Sequence, residues 1–130
     1  MHLNRRALLV GVALSFLVFS GAQAANKVRF DVIAFKVARD SGKPVVLQVA
    51  ATWCGPCQAM KRTVSELVEK PEFKDVTIFE ADYDANKEDL QSLNAYKVTM
   101  LVLYRDKKEV ERTVGETRPE MSEPLLRKAM

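Results

Sequence analysis

This 130-residue chain is poor in the residues that build most catalytic and metal centres: it has one histidine, His2, and two cysteines, Cys54 and Cys57. His2 falls in an N-terminal stretch that reads as a removable leader. The remaining chain can therefore make no Cys-His dyad, no His-ligated zinc and no Cys-x-x-Cys-His haem attachment, and position 58 is Gln. Two thiolates fill half of a tetrahedral metal site, so a metal would need a second protomer or outside ligands. A basic stripe interleaved with aromatics is missing as well. Charges alternate, as in Lys61, Arg62, Glu66, Glu69, Lys70 and Glu72, which argues against nucleic acid as a partner. There is no internal repeat and no low-complexity tract.

Nor is there an apolar run long enough to span a bilayer. The longest, residues 7–19, is about 13 residues where a span needs roughly 20. Arg5 and Arg6 precede it, and Ala22-Gln23-Ala24 offers small residues at the two recognition positions of a signal-peptidase site. Residues 1–24 are expected to be a cleavable signal peptide and residues 25–130 one globular domain, with a retained anchor as the alternative. The stretch Asn4-Arg5-Arg6-Ala7-Leu8 lacks most of the residues of a twin-arginine signal, so the export route stays open. Cleavage lowers the formal net charge from +3 to +1, so most of the apparent basicity belongs to the leader. The mature chain is expected in a periplasm or outside the cell, where thiols tend to oxidise.

What is present is the run Trp53-Cys54-Gly55-Pro56-Cys57, which puts both cysteines two residues apart. A bridge closing so short a loop removes little entropy from the unfolded chain, so it is a poor staple and a better candidate for chemistry.

The periodicity places that run. Residues 27–29 read as a short strand. Phe30, Ile33, Ala34, Val37 and Ala38 recur at helical spacing and stop at Ser41-Gly42. Residues 45–51 are apolar except for Gln48, as in a strand covered on both faces. Met60, Val64, Leu67 and Val68 then form one face of a helix ending near Pro71. A second strand over 76–81, an acidic turn through Asp82 and Asp84, and a helix over 87–95 with Leu90 and Leu93 follow. Residues 100–104 and 109–114 read as a hairpin, with Val110, Arg112 and Val114 alternating against Glu111 and Thr113. Thr117-Arg118-Pro119-Glu120 has the form of a capped helix start, and Pro124 should kink that helix or delay it. Tyr96 and Tyr104 read as packing residues. The fold class is α/β, a central mixed sheet of four to five strands flanked by helices.

In that order of elements the chain resembles the thioredoxin superfamily, above all its exported members. The resemblance rests on Gly42-Lys43-Pro44-Val45, the WCGPC motif at residues 53–57, Asp82-x-Asp84, Tyr96-Lys97-Val98 and Val114-Gly115. It implies a thiol-disulfide oxidoreductase with no cofactor, reducing disulfides of partner proteins outside the cytoplasm as a monomer and recharged by a membrane-bound reductase. The strand-to-helix position of the motif leads to the same chemistry. Cys54 meets free backbone N-H groups at a helix start and is the expected nucleophile, and Cys57, one turn inside, the resolving thiol. Gly55 permits close approach of a substrate chain, Pro56 fixes the first helical turn, and Trp53 packs or shapes the surface around Cys54.

Three departures qualify the resemblance. Family members carry a buried acid and a lysine that move a proton to or from the inner cysteine; the matching positions are Gln48 and Glu80, the candidate proton relay, with Glu80 expected to face solvent. They also carry a cis-proline opposite the cysteines. Here the loop Val98-Thr99-Met100 is shorter and has none, so Thr99 or Met100 must face the sulfurs, on a trans peptide. Arg62 replaces a kinking proline, which predicts a straighter active-site helix. Because the proline also keeps metals off the sulfurs, the alternative function is a protein that holds zinc, copper or an iron-sulfur cluster on Cys54 and Cys57, alone or across a dimer.

Overall fold

The computed structural model describes Gly21 and residues 24–130, so the expected leader lies almost wholly outside the described residues. The elements are β1 (Asn26–Arg29), α1 (Val32–Asp40), β2 (Val45–Ala50), α2 (Gly55–Leu67), a 3-10 turn (Pro71–Phe73), β3 (Thr77–Asp82), α3 (Lys87–Ser92), β4 (Met100–Arg105), β5 (Lys108–Val114) and α4 (Pro119–Arg127). They form one five-stranded sheet in the order β1-β3-β2-β4-β5. The first three strands are parallel, and β4 and β5 are antiparallel additions at the other edge. No described helix is long and apolar enough to cross a membrane.

β2 is central and buried along its whole length, which explains its nearly continuous apolar sequence. Its side chains divide by the period of two. Val46 and Ala50 face α2 and α4 with Ile78, Leu101 and Leu103, while Val45, Leu47 and Val49 face α1 and α3 with Phe79, Val102 and Tyr104. Between β4 and β5 the chain turns through Asp106 and Lys107, both at positive φ, as a two-residue hairpin turn of the twist-matching type requires.

Several sequence expectations need correcting. In α1 the buried residue is Phe35, while Ile33 and Val37 are 70% and 67% exposed. Six of the nine residues of α1 are apolar, so the sequence offers several competing faces; Phe35 wins because it alone reaches the rings of Phe30, Phe79 and Tyr104, at centroid distances of 5.8, 5.5 and 5.4 Å. In β5 the register shifts by one residue at Leu103/Tyr104, so that Val110 packs toward α2 and α4 while Val114, across from Met100, is exposed. The cap of α4 is Arg118 and not Thr117, and no side-chain capping bond forms; the Glu116 carboxylate takes the N-H groups of Thr117 and Arg118 instead. That helix starts at Pro119 without delay and continues through Pro124 to Arg127, where the proline deprives the carbonyl of exposed Glu120 of its bond. Tyr104 is buried as expected, but Tyr96 is exposed.

Candidate active site

The candidate site forms where β2 runs out. The N-H of Cys54 donates to the Ala51 carbonyl at 3.2 Å and closes a tight turn, and Cys54 then caps α2 in an extended conformation. Its Sγ accepts the N-H of Cys57 at 3.2 Å, so the sulfur occupies the place of a capping oxygen at the positive end of the helix. Pro56 in the first turn lacks the N-H that would go unused there. Cys54 and Cys57 are joined as a disulfide with Cα atoms 5.3 Å apart. The two are not equivalent: Cys54 keeps 6% of its surface exposed and Cys57 none. A Cβ at Gly55 would meet nothing within 4 Å, so no contact inside the chain demands glycine there. α2 continues without a break through Arg62 to Leu67, in line with the absence of a proline.

Trp53 is 64% exposed beside the disulfide. It is fixed all the same, because Nε1 donates to Asp84 Oδ2 at 2.8 Å and the ring meets Tyr83 edge-on at 6.3 Å. Asp84 is placed in turn by Asp82, whose Oδ1 accepts the N-H groups of Asp84 and Ala85 at 3.0 and 2.9 Å. The acidic turn is readable in the sequence; the bond that aims it at Trp53 is not, since nothing local marks it.

The loop before β4 supplies the opposite wall. Thr99 Oγ1 lies 3.3 Å from both Cys54 Sγ and Cys57 Sγ, and Thr99 is 4% exposed. Its φ of +53° is a left-handed conformation that β-branched residues rarely adopt. The Thr99 carbonyl accepts the N-H of Gly115 at 2.8 Å, which ties the loop to the end of β5. No described peptide bond is cis. Thr99 is thus the residue that faces the sulfurs. Met100 opens β4 and packs into the α1/α3 core, away from them, and Val98 is half-buried against the α2/α4 core. Next to Gly115, Arg118 chelates Glu116 through two bonds, and the backbone N-H groups of Arg118 and Thr117 add to it; together they hold the Glu116 carboxyl down at about 2.

Under the N-terminal turns of α2, a cavity of about 140 Å³ opens to the surface. Gln48, Glu80, Asp82, Gln58 and Lys61 line it. Gln48 is buried and Glu80 half-exposed, paired in register across β2 and β3. The structure therefore brings Gln48 and Glu80 together at one polar opening instead of turning Glu80 wholly outward. Among the described residues, no set of three His, Cys, Asp or Glu side chains converges to hold a metal.

Known proteins share this fold and sequence pattern. The thioredoxin family profile matches residues 24–126. An H-type thioredoxin of Fagopyrum esculentum is 37% identical over 87 residues, covering 67% of this chain and 73% of its own. The Aspergillus fumigatus thioredoxin Asp f 28 is 37% identical over 94 residues, covering 72% of this chain and 84% of its own. Among solved structures, Trxlp from Edwardsiella tarda superposes with a TM-score of 0.74 at 33% identity, covering 78% of this chain and 98% of that one. The chain belongs to the thioredoxin family, and with its Cys-x-x-Cys pair it is a thiol-disulfide oxidoreductase.

Proposed function

We propose that this protein works outside the cytoplasm as a monomeric reductant of disulfides in partner proteins, recharged by a membrane-bound reductase. The observation that carries the reading is the inequality of the two cysteines at the head of α2: the sulfur that caps the helix belongs to Cys54, which keeps some exposure, while Cys57 keeps none. The helix end and the Cys57 N-H stabilise a thiolate on Cys54. That thiolate attacks one sulfur of the partner disulfide. A Cys54–partner bond forms, and the other partner sulfur leaves as a thiolate, taking a proton from solvent. Cys57 then loses its proton and attacks Cys54 Sγ; the Cys54–Cys57 bond forms, the mixed bond breaks, and the second partner sulfur leaves reduced. Two electrons have passed from the dithiol to the partner.

Cys57 has no exposed surface, so its proton needs a path. The cavity beneath α2, lined by Gln48 and Glu80 though not by either cysteine, is large enough for water; Glu80 is the base that receives the proton through it and Gln48 orients the water by hydrogen bonding. Bare Gly55 and the fixed rim of Trp53 leave room for a partner backbone to lie against Cys54. Export rests on the signal-like residues 1–24 and the reductase on the need to reset a dithiol in an oxidising compartment.

Trapping tests the reading. With Cys57→Ser expressed from the full chain, mixed disulfides with exported proteins should accumulate in the extracytoplasmic fraction, while Cys54→Ser should capture nothing. Equal capture by both variants, or recovery of the uncleaved chain in the cytosol, would contradict it.

A further inference from the structure

Of the groups around the disulfide, Thr99 is the one that the scheme above leaves without a task. It is strained, buried and in contact with both reacting atoms. A β-branched residue at positive φ costs about 1–3 kcal/mol, a conformation retained where the surroundings enforce it. Here the Gly115 N-H on the Thr99 carbonyl enforces it, and the result is a hydroxyl 3.3 Å from each sulfur. With the disulfide closed, neither sulfur carries a hydrogen, so the hydroxyl is the donor.

The hydroxyl has one hydrogen and two possible acceptors at equal distance. We propose that Thr99 is a catalytic residue whose hydroxyl donates to whichever sulfur carries the charge, first Cys54 and then Cys57. This rests on the thiol-disulfide reading of the pair. Its weight falls on the second step. Cys54 already has the Cys57 N-H and the helix end, whereas the only hydrogen-bond partner of Cys57 Sγ among the described residues is Thr99. Cys57 must nevertheless become a thiolate with no exposed surface, which burial opposes. Once Cys54 is tied up in the mixed disulfide, the hydroxyl turns to Cys57 without moving the backbone. The Cys57 proton leaves by the cavity, the hydroxyl keeps its own, and the step remains the two-electron exchange written above. The charged groups that line the cavity are Glu80 and Asp82 on β3 and Lys61 on α2, with Asp84 bonded to Trp53, and a change at position 99 removes none of them.

A chromogenic aryl disulfide separates the steps, because each attack releases one coloured aryl thiolate. With the reduced protein, Thr99→Val should slow the second release about tenfold near neutral pH, the loss of one hydrogen bond to a charged group, and the first release less. The hydroxyl lowers the Cys57 pKa, so the gap between wild type and variant should be widest at low pH and close as pH rises past the variant's own Cys57 pKa. Thr99→Ser should restore the second release. Thr99→Ala serves if the valine variant does not fold, as judged by thermal unfolding of the oxidised forms. An unchanged second release in the hydroxyl-free variants overturns the proposal. So does slowing of both releases by the same factor at every pH without rescue by serine, which is the mark of a structural role. Release of a single thiolate by the wild-type protein would overturn the underlying redox reading itself.

Discussion

The two faces of the sheet are built to different rules. The buried side chains of the face under α1 and α3 are aliphatic and aromatic, with Phe35 set among Phe30, Phe79 and Tyr104. The face under α2 and α4 holds the disulfide and the cavity, and the four buried polar residues described, Gln48, Thr63, Thr99 and Ser122, all belong to its side. Thr63 ties α2 to the segment before α4 through the Thr117 carbonyl at 2.7 Å. A dry aromatic face can supply cohesion without regard to chemistry. The redox face gives up some apolar packing for a hydroxyl at the sulfurs and a polar opening beneath the helix. Stability and reactivity are thereby assigned to opposite sides of one strand, β2.

Damage confined to the aromatic face should leave the redox face unchanged. Phe35→Ala should cost about 3–5 kcal/mol of unfolding free energy by removing a fully buried ring with three aromatic neighbours. In the fraction that remains folded, the reduction potential of Cys54/Cys57 should stay at the wild-type value. Denaturant titration and redox equilibration check the two halves, and a potential that moves with Phe35 would mean that the faces are not independent. A smaller, opposite effect is expected from Glu80→Gln: unfolding should change little, while the closing step, followed as the second thiolate released from an aryl disulfide, slows by less than the ~100-fold that a base in direct contact supplies. An unchanged closing rate across pH would remove Glu80 from the proton path.

Much of the redox face is legible in the sequence because its signals are local. A buried strand, a Cys-Gly-Pro-Cys turn and an amphipathic helix follow one another, and Gly42 and Gly115 stand where φ is +82° and +81°. The missing proline also directs attention to Thr99. That Thr99 and not Met100 meets the sulfurs depends on where β4 begins, which is set by pairing with β2 and β5 and has no local mark. The aromatic face is harder to read. In α1 nearly every direction is apolar, and only the tertiary partners of Phe35 choose among them. The same holds for β5, where a one-residue shift opposite Leu103/Tyr104 puts Val110 and Val114 on different faces although their spacing reads as one.

The pair itself explains why stability can be left to the other face. A bridge spanning residues 54–57 restrains the unfolded chain by about 2 kcal/mol, against about 4.7 kcal/mol for a 100-residue loop, so opening it in each cycle costs the fold little. We propose that this pair is poised as a reductant, which its reduction potential decides. Equilibrated in dithiol buffers and read by thiol trapping, Cys54/Cys57 is predicted to lie near the value of thioredoxin, about −270 mV. A value near −120 mV, that of a strong oxidant, would contradict the direction of electron flow argued from the site.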